Sequence, residues 1–449
     1  MNIKNKKISI LGAVRSGVAA AKLAKTLGAI PFVSDTASEE KLYVNLKILE
    51  HENIKFEING HSENVFDADL IVTSPGVPSD SEVIKKASKN NIPVISEIEF
   101  ASGFCKGKIV AITGTNGKTT TTSLTSFALK KTGNKVYTAG NIGLAFSEIA
   151  LLANEDDYVV LEISSFQLDF VESFKPFISV LLNVTPDHLN RYENNFEKYK
   201  NSKAPITLQQ TADEYFIYNN DDENIPLAAK ESLATKYLFS TKNKVCCGTY
   251  FLNNNFIYSE NQTEEYITTA EEVSLRGEHN YSNICAVITI LKLLKIENEI
   301  IISALKEFPG VEHRLEFVRE LDGVKYINDS KATNVDAVWY ALQSFSEPIN
   351  LILGGTDKGN DYNKIKNVVI ENVKKIYAIG ASAEKVFTFF SKFKPVIKVE
   401  SFEECLLLAR KEAVEGEIVL LSPACASFDM FNSYEHRGKV FKKLVRELD

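Results

Sequence analysis

Short runs of β-branched and aliphatic residues recur along the chain, each stopped by glycine, proline or a small polar residue and followed by a helical pattern. KISIL (7–11) precedes SGVAAAKLAKTLG (16–28), a helix closed by Gly28. PFVSD then puts Asp35 at a strand end, and DLIVTSPGVP (69–78) stops at Pro and Gly. A helix is expected around 81–90, ahead of PVISE (93–97). Strand–helix alternation with short links specifies a parallel sheet covered on both faces, so an α/β fold is expected.

The alternation lapses near Glu97–Lys108 and restarts with KIVAIT, and FPGVEHRLE carries a second Pro-Gly break. These breaks divide the chain into 1–96, 97–309 and 310–449, and its 449 residues fit three domains at ~150 residues each. In the second part KVYTAGNIG, YVVLEISSF and FISVLLNVTPDH read as buried strands. Residues 245–275 alternate around Asn-rich turns instead and read as an appended antiparallel hairpin. Helices over 280–295 and 297–307 follow. The third part opens with a hairpin turning at Asp322-Gly323, then resumes the alternation through NLILGG, KIYAIG and EIVLLS.

Composition narrows the function classes. A net charge of -8 lacks the basic face that nucleic acid requires. Six cysteines (Cys105, Cys246, Cys247, Cys285, Cys405 and Cys425) form no C-x-x-C pair and fit a reducing cytoplasm. No apolar run approaches the ~20 residues of a membrane span, and the basic start MNIKNKKISILGAV lacks the long apolar core of a secretion signal. A cytoplasmic monomer acting on small molecules is expected, with no nucleic-acid partner.

The segment ITGTNGKTTTTSL (112–124) carries the sharpest chemical signal. The pattern G-x-x-x-x-G-K-[ST] wants glycine where Ile112 stands, and Gly114 comes two residues late. Even so, Gly114, Thr115, Asn116 and Gly117 lie between a strand and a helix starting near Lys118. Backbone N–H groups and the helix dipole make an anion site there. Lys118 would reach outer phosphates and Thr119 would offer a hydroxyl to Mg²⁺. The alternative is a turn with a solvated lysine. GAVRSG (12–17) is weaker: Val14 replaces the middle glycine of the dinucleotide fingerprint. NAD, another nucleotide and a plain turn all stay open for it.

Ligands of open α/β sheets bind beyond the carboxyl ends of strands. Glu162 ends YVVLE and His188 follows a strand in NVTPDHLNRY, so both point toward Lys118. Glu162 is the natural Mg²⁺ ligand, Asp187 could be a helix N-cap, and Lys203 alone reads as a solvated helix lysine. NDSKATN (328–334), LGGTDKG (353–359) and LSPACASFDMF (421–431) are three strand ends that together make a pocket edge, with Thr333 able to cap a helix.

TGTNGKTTT, GNIG, LEISSFQLD, NVTPDHLNRY, GEHNYSN, HR, NDSKATN and SPACASFDMF occur in the order seen in Mur ligases, and the chain resembles that family over roughly residues 8–440. GTNGKT is shared with folylpolyglutamate synthases. NDSKATN together with SPACASFDMF is similar to the branch that adds D-glutamate to UDP-N-acetylmuramoyl-L-alanine (UDP-MurNAc-L-Ala).

The resemblance implies an N-terminal Rossmann-like domain for the UDP-sugar, a central P-loop-type ATP-binding α/β domain and a C-terminal Rossmann-like α/β domain for the amino acid. It places Ser16, Asp35, Thr36 and Gly76 around the UDP group, with Asn141 and His188 facing the muramoyl part. The loop Gly114–Thr120, including Thr115, Asn116, Gly117, Lys118 and Thr119, would hold Mg-ATP together with Glu162, with Asn280 and Asn283 near the adenine. Arg314 and Asp329 would reach ATP, and Lys331 the transferring phosphate. Thr333, Lys358, Ser427, Phe428 and Tyr434 match positions around D-glutamate. Lys203 would be carbamylated and hold a second Mg²⁺ with His188.

The implied reaction activates the L-alanyl carboxylate as an acyl phosphate, which the D-glutamate amine attacks. Another Mur-type or folylpolyglutamate-type ligase is the first alternative, although a folate enzyme should lack the first domain. A nucleotide-gated binding protein without turnover is the second, and Glu162, His188, Lys203 and Lys331 together argue against it.

Overall fold

The computed structural model describes every residue from 1 to 449 except Lys358, and every side chain but those of Lys358 and Asn190. The chain divides into two compact units, Met1–Val273 with Asn280–Phe308, and Ser274–His279 with Pro309–Asp449.

The first unit holds two sheets. One contains β1 (Lys7–Leu11), β2 (Ile30–Ser34), β3 (Lys55–Glu57), β4 (Leu70–Thr73) and β5 (Val94–Ser96), all parallel, in the order β3-β2-β1-β4-β5. The order reverses at β1, so the 12–17 loop leaves the sheet at its switch point, the position where open α/β sheets bind their ligands. Four strands are expected here and five are found. The extra one, β3, is a three-residue edge strand with no buried residue, so it has no apolar run to betray it.

The other sheet contains β6 (Lys108–Thr113), β7 (Val136–Gly140), β8 (Tyr158–Glu162), β9 (Ile178–Leu181), β10 (Tyr215–Asn219), β11 (Thr235–Ser240), β12 (Gly248–Leu252), β13 (Asn255–Glu260) and β14 (Thr263–Thr269). Its order is β14-β13-β12-β11-β10-β9-β6-β8-β7. Every residue of β8 is buried, as is β6 after Lys108, which is what coverage on both faces demands. The switch point is β6, flanked by β8 and β9, and the 114–117 loop emerges from it.

The 245–275 segment differs from the expected appended hairpin. β12 pairs in parallel with β11, and β12–β13 and β13–β14 are then antiparallel, so three strands extend the sheet itself. Asn253-Asn254 and Asn261-Gln262 all take positive φ, the conformation that two-residue hairpin turns need. The Asn-rich sequence encodes two turns, and both are used.

One apolar cluster runs from Ile10 and Leu23 through Phe100 to Phe146 and Leu161, joining the two sheets of this unit into one core. Glu99 adds a polar tie. Its carboxylate accepts the backbone N–H groups of Glu172, Ser173 and Phe174 at 2.9–3.1 Å.

The second unit holds β15 (Glu316–Leu321), β16 (Val324–Asn328), β17 (Ile349–Gly354), β18 (Val373–Ile379), β19 (Val396–Val399) and β20 (Ile418–Leu421), ordered β15-β16-β20-β17-β18-β19. Only β15–β16 is antiparallel, and it turns at Asp322-Gly323 as expected. Alternate residues supply cores on opposite faces: Ile376 packs with Val338 and Leu351, Tyr377 with Phe402 and Phe441. Since β20 lies between β16 and β17 and all three are parallel, the loops after them share one sheet edge. That topology brings NDSKATN, the strand end LGGTD and SPACASF together. No helix among the described residues is long and apolar enough to cross a membrane.

Candidate active site

The 114–117 loop is held open by its glycines and anchored by its neighbours. Gly114 has φ +151, and Gly117, with φ +84, caps the helix Lys118–Lys131. A Cβ on Gly117 would fall 2.3 Å from Asn283 Oδ1, so the helix Glu278–Leu293 bears directly on the loop. Asn283 in turn donates to Asn280 Oδ1 at 3.5 Å, which puts both expected adenine residues beside the loop. Asn183 accepts the Asn116 N–H at 2.8 Å and donates to its carbonyl at 3.0 Å, fixing that peptide. Thr115 meets Tyr199 OH at 2.9 Å. Lys118 Nζ donates to the carbonyls of Gly114 and Thr115, both at 2.8 Å, curling over the loop it belongs to.

Beside the loop lies one carboxylate with both oxygens engaged. Glu162, at the end of β8 and buried, accepts the Thr119 hydroxyl on Oε2 at 2.6 Å and Asn141 Nδ2 on Oε1 at 2.7 Å. A carboxylate and a hydroxyl are hard oxygen donors of the kind Mg²⁺ prefers, and the ion characteristically completes its shell with phosphate and water.

Lys203 departs from its solvated-lysine reading: it is 1% exposed, with Nζ 4.5 Å from the centre of the Tyr199 ring. Burial, helped by the nearby charge of Lys118, pushes its pKa well below the usual lysine value against the pull of Asp187 and Asp169. The helical periodicity of its segment could not reveal this, because Lys203 sits where the helix Phe196–Asn201 has ended and a short 3₁₀ turn begins. His188 stays half exposed, edge-on to Phe166 at 5.2 Å, with Nε2 3.6 Å from Asp187. Asp187 is not a helix cap. It accepts the His188 N–H at 2.8 Å, and His188 itself, at φ 50, precedes the turn Leu189–Arg191.

In the first sheet Asp35 ties two loops. Oδ2 accepts the Ala13 N–H and Oδ1 the Ala37 N–H, each at 2.7 Å. Ser16 is half buried while Thr36 and Gly76 are exposed, and the Ser74 hydroxyl is buried next to Gly12 and Gly17. Arg191 stacks over Phe166 at 4.4 Å and donates to Val77 O at 3.2 Å, connecting NVTPDHLNR to SPGV.

In the second unit Asp329 is buried, accepting Ser422 Oγ at 2.8 Å and Leu315 N at 3.3 Å; burial drives its pKa up to about 7 despite Arg314. Lys331 lies with Nζ 5.6 Å from the Tyr434 ring centre. Thr333 does not cap the next helix. Asn334 does, accepting Ala337 N at 2.8 Å, because the residue directly before Val335 is the one whose side chain can reach that N–H. Ser427 is buried and Phe428 is 72% exposed. Lys358 lies outside the described residues.

The sequence offered no sign of Arg437, which organises this edge. Buried to 2% exposure, it donates to Ser330 Oγ at 2.9 Å, Ser330 O at 2.8 Å and Cys425 O at 3.1 Å, clamping NDSK to SPACAS. Burial lowers its pKa to about 10. An arginine one turn into an amphipathic helix ordinarily faces water, so only the fold reveals this one. Asn183 was missed too, although an Asn at a strand's carboxyl end, four residues before Asp187, was a usable signal.

A glycine-bounded loop at the switch point of a mainly parallel sheet, with a lysine and a hydroxyl-held carboxylate beside it, defines a P-loop-type nucleotide-binding α/β protein. Family descriptions cover nearly all of the chain: "Mur ligase MurD-like, N-terminal domain" matches residues 6–96, "Mur ligase middle domain" 112–291 and "Mur ligase, glutamate ligase domain" 313–425. The chain belongs to the Mur ligase family. A Salinibacter ruber protein named UDP-N-acetylmuramoylalanine–D-glutamate ligase is 42% identical over 99% of both chains, and a Chloroherpeton thalassium protein of the same name is 44% identical with the same coverage. Among solved structures, UDP-N-acetylmuramate-alanine ligase MurC from Thermotoga maritima superposes with a TM-score of 0.61 at 19% identity, covering 98% of this chain and 99% of its own. E. coli FolC, solved with ADP, gives 0.59 at 16%, covering 78% and 92%. These two show the shared three-dimensional fold.

Proposed function

We propose that this chain joins D-glutamate to UDP-MurNAc-L-Ala at the expense of ATP, releasing ADP and phosphate in the synthesis of peptidoglycan precursors. The observation that carries the reading is identity of 42–44% to D-glutamate ligases over 99% of the chain, which includes the third domain that would receive the amino acid. The division at 1–96, 97–309 and 310–449 assigns one substrate to each domain, and the protein acts as a cytoplasmic monomer.

A carboxylate is a poor electrophile, so the L-alanyl carboxylate attacks the ATP γ-phosphate, ADP leaves, and an acyl phosphate forms. The amine of D-glutamate then attacks the acyl carbon and phosphate departs with the bonding electrons. Two anions meet in the first step, which is why cations are needed. Lys118 leaves the carbonyls of Gly114 and Thr115 for phosphate oxygens, and Lys331 and Arg314 supply further positive charge. Mg²⁺, held by Glu162 and Thr119, would neutralise phosphate charge. Asn280 and Asn283 face the adenine.

Ser16, Asp35, Thr36 and Gly76 surround the UDP group, Asn141 and His188 face the muramoyl part, and Thr333, Lys358, Ser427, Phe428 and Tyr434 receive D-glutamate. Lys203, its pKa lowered by burial, adds CO₂ as a carbamate and with His188 would hold a second ion. Phosphate release from ATP with UDP-MurNAc-L-Ala, screened across D- and L-amino acids, is the test. Release confined to D-glutamate supports the proposal. Preference for another amino acid points to a different Mur step, and no release with any would overturn it.

A further inference from the structure

Arg15 is the first residue of the helix Arg15–Thr26, in the 12–17 loop, yet its guanidinium is spent on the neighbouring sheet. Nη1 donates to Gly143 O at 2.7 Å and Nη2 to Gly140 O at 3.0 Å. The planar fork of arginine spans two such carbonyls at once, which one ammonium cannot do with the same geometry. The segment it grips is short and tightly seated. Gly140 has φ +98, and a Cβ there would fall 2.3 Å from Glu162 O, so the loop lies directly on the end of β8.

Inside that segment is Asn141, whose N–H donates to Glu162 O at 2.8 Å and whose Nδ2 donates to Glu162 Oε1 at 2.7 Å. The other Glu162 oxygen takes the Thr119 hydroxyl, one residue beyond Lys118. An unbroken series of polar contacts therefore runs from the helix N-terminus at Arg15 to the phosphate loop of the other sheet. The buried Glu97, at the start of the helix Glu97–Ser102, accepts Ser147 N on Oε1 at 2.6 Å and so ties the residues just beyond this segment to that helix.

A diphosphate at the N-terminus of the Arg15 helix is a competing partner for the same guanidinium, since charged phosphate oxygens bind it more strongly than neutral carbonyls. We propose that Arg15 is a positioning residue that couples occupancy of the 12–17 loop by a nucleoside diphosphate group to the setting of Asn141 and Glu162, and so to nucleotide binding at the 114–118 loop. This rests on reading the 12–17 loop as the UDP-sugar site.

The test is equilibrium coupling between two probes, UDP and Mg-ADP, measured by calorimetry on the whole protein. Saturating UDP is expected to change the Mg-ADP Kd of the wild type about fivefold or more, the lower range of measured coupling between sites. Arg15→Met should reduce that factor to near one by moving the Mg-ADP affinity without UDP toward that of the UDP-saturated wild type, and Arg15→Lys should restore part of the coupling. With full substrates, losses of kcat in Arg15→Met and Asn141→Ala should combine in the double variant to less than their product, because the two share one series of contacts.

Equal coupling in wild type and Arg15→Met, multiplicative losses, or a raised UDP-MurNAc-L-Ala KM with kcat unchanged would each overturn the proposal. So would UDP binding to the wild type without altering Mg-ADP affinity. UDP failing to bind at all would instead remove the sugar-site reading beneath it. If Arg15→Met does not fold, Arg15→Lys and Arg15→Gln carry the same comparison.

Discussion

The hydroxyl of Thr119 donates to Oε2 of Glu162 at 2.6 Å, joining the start of the helix that follows β6 to the end of β8, the strand beside β6 in the sheet. An ion bound at this carboxylate has the Thr119 oxygen as a second donor at hand. Glu162→Gln preserves size but removes the charge, and it should lower kcat by about 10²–10³ and raise the Mg²⁺ concentration needed for half-maximal rate. A magnesium titration identical to that of the wild type would show that Glu162 does not hold the ion.

Lys118 rests on two carbonyls of its own loop at 2.8 Å, and an incoming phosphate offers it a charged partner instead. Lys118→Ala should melt near the wild-type temperature and turn over about 10²–10³ times more slowly. Near-normal turnover in a folded variant would remove the phosphate-loop assignment.

Gly117 and Gly133 have nearly the same backbone, φ +84 and +81, in different surroundings. Alanine at either should cost about 1–2 kcal/mol for the left-handed conformation. Only Gly117→Ala also drives a Cβ to 2.3 Å from Asn283 Oδ1, whereas Gly133 has nothing within 4 Å. Urea melts should show the larger loss for Gly117→Ala, and ADP affinity should fall in that variant alone. Equal effects on ADP binding would mean that the Asn283 contact does not shape the site.

Burial lowers the pKa of Lys203, which leaves a larger fraction as the free amine that CO₂ requires. In ¹³C-bicarbonate the wild type should show a carbamate carbonyl resonance that Lys203→Ala lacks, and the variant should lose activity. A clear ammonium at Lys203 in a metal-loaded crystal, or full activity in Lys203→Ala, would refute the carbamate.

Asp329 has its carboxyl pKa raised from 3.8 to about 7. Between those values the folded protein keeps a proton that the unfolded chain has released. Its contribution to stability is therefore fully present below 3.8 and is lost as pH rises through 7. Denaturant titrations should show stability falling across that window in the wild type, with a shallower fall in Asp329→Asn. An equal slope in both would place the titrating group elsewhere.

Much of this protein is fixed by local sequence. Strand and helix order, the Asp322-Gly323 hairpin, the two positive-φ glycines of the phosphate loop and the carboxylate at the end of β8 follow from periodicity and turn chemistry, which act over a few residues. The family motifs, in their order, were legible for the same reason.

Tertiary structure decided what depends on distant partners. Only packing makes Lys203 a buried amine and Arg437 a clamp between two loops, because burial is set by elements far away in the chain. The parallel pairing of β12 with β11 turned an expected appendage into an extension of the main sheet, since a turn motif specifies a hairpin but not the strand it docks against. Likewise, nothing near Arg15 announces the carbonyls of Gly140 and Gly143, which reach it only because two sheets share one core. Local sequence chose the elements and their chemistry, while long-range burial and hydrogen bonding chose which of those groups meet.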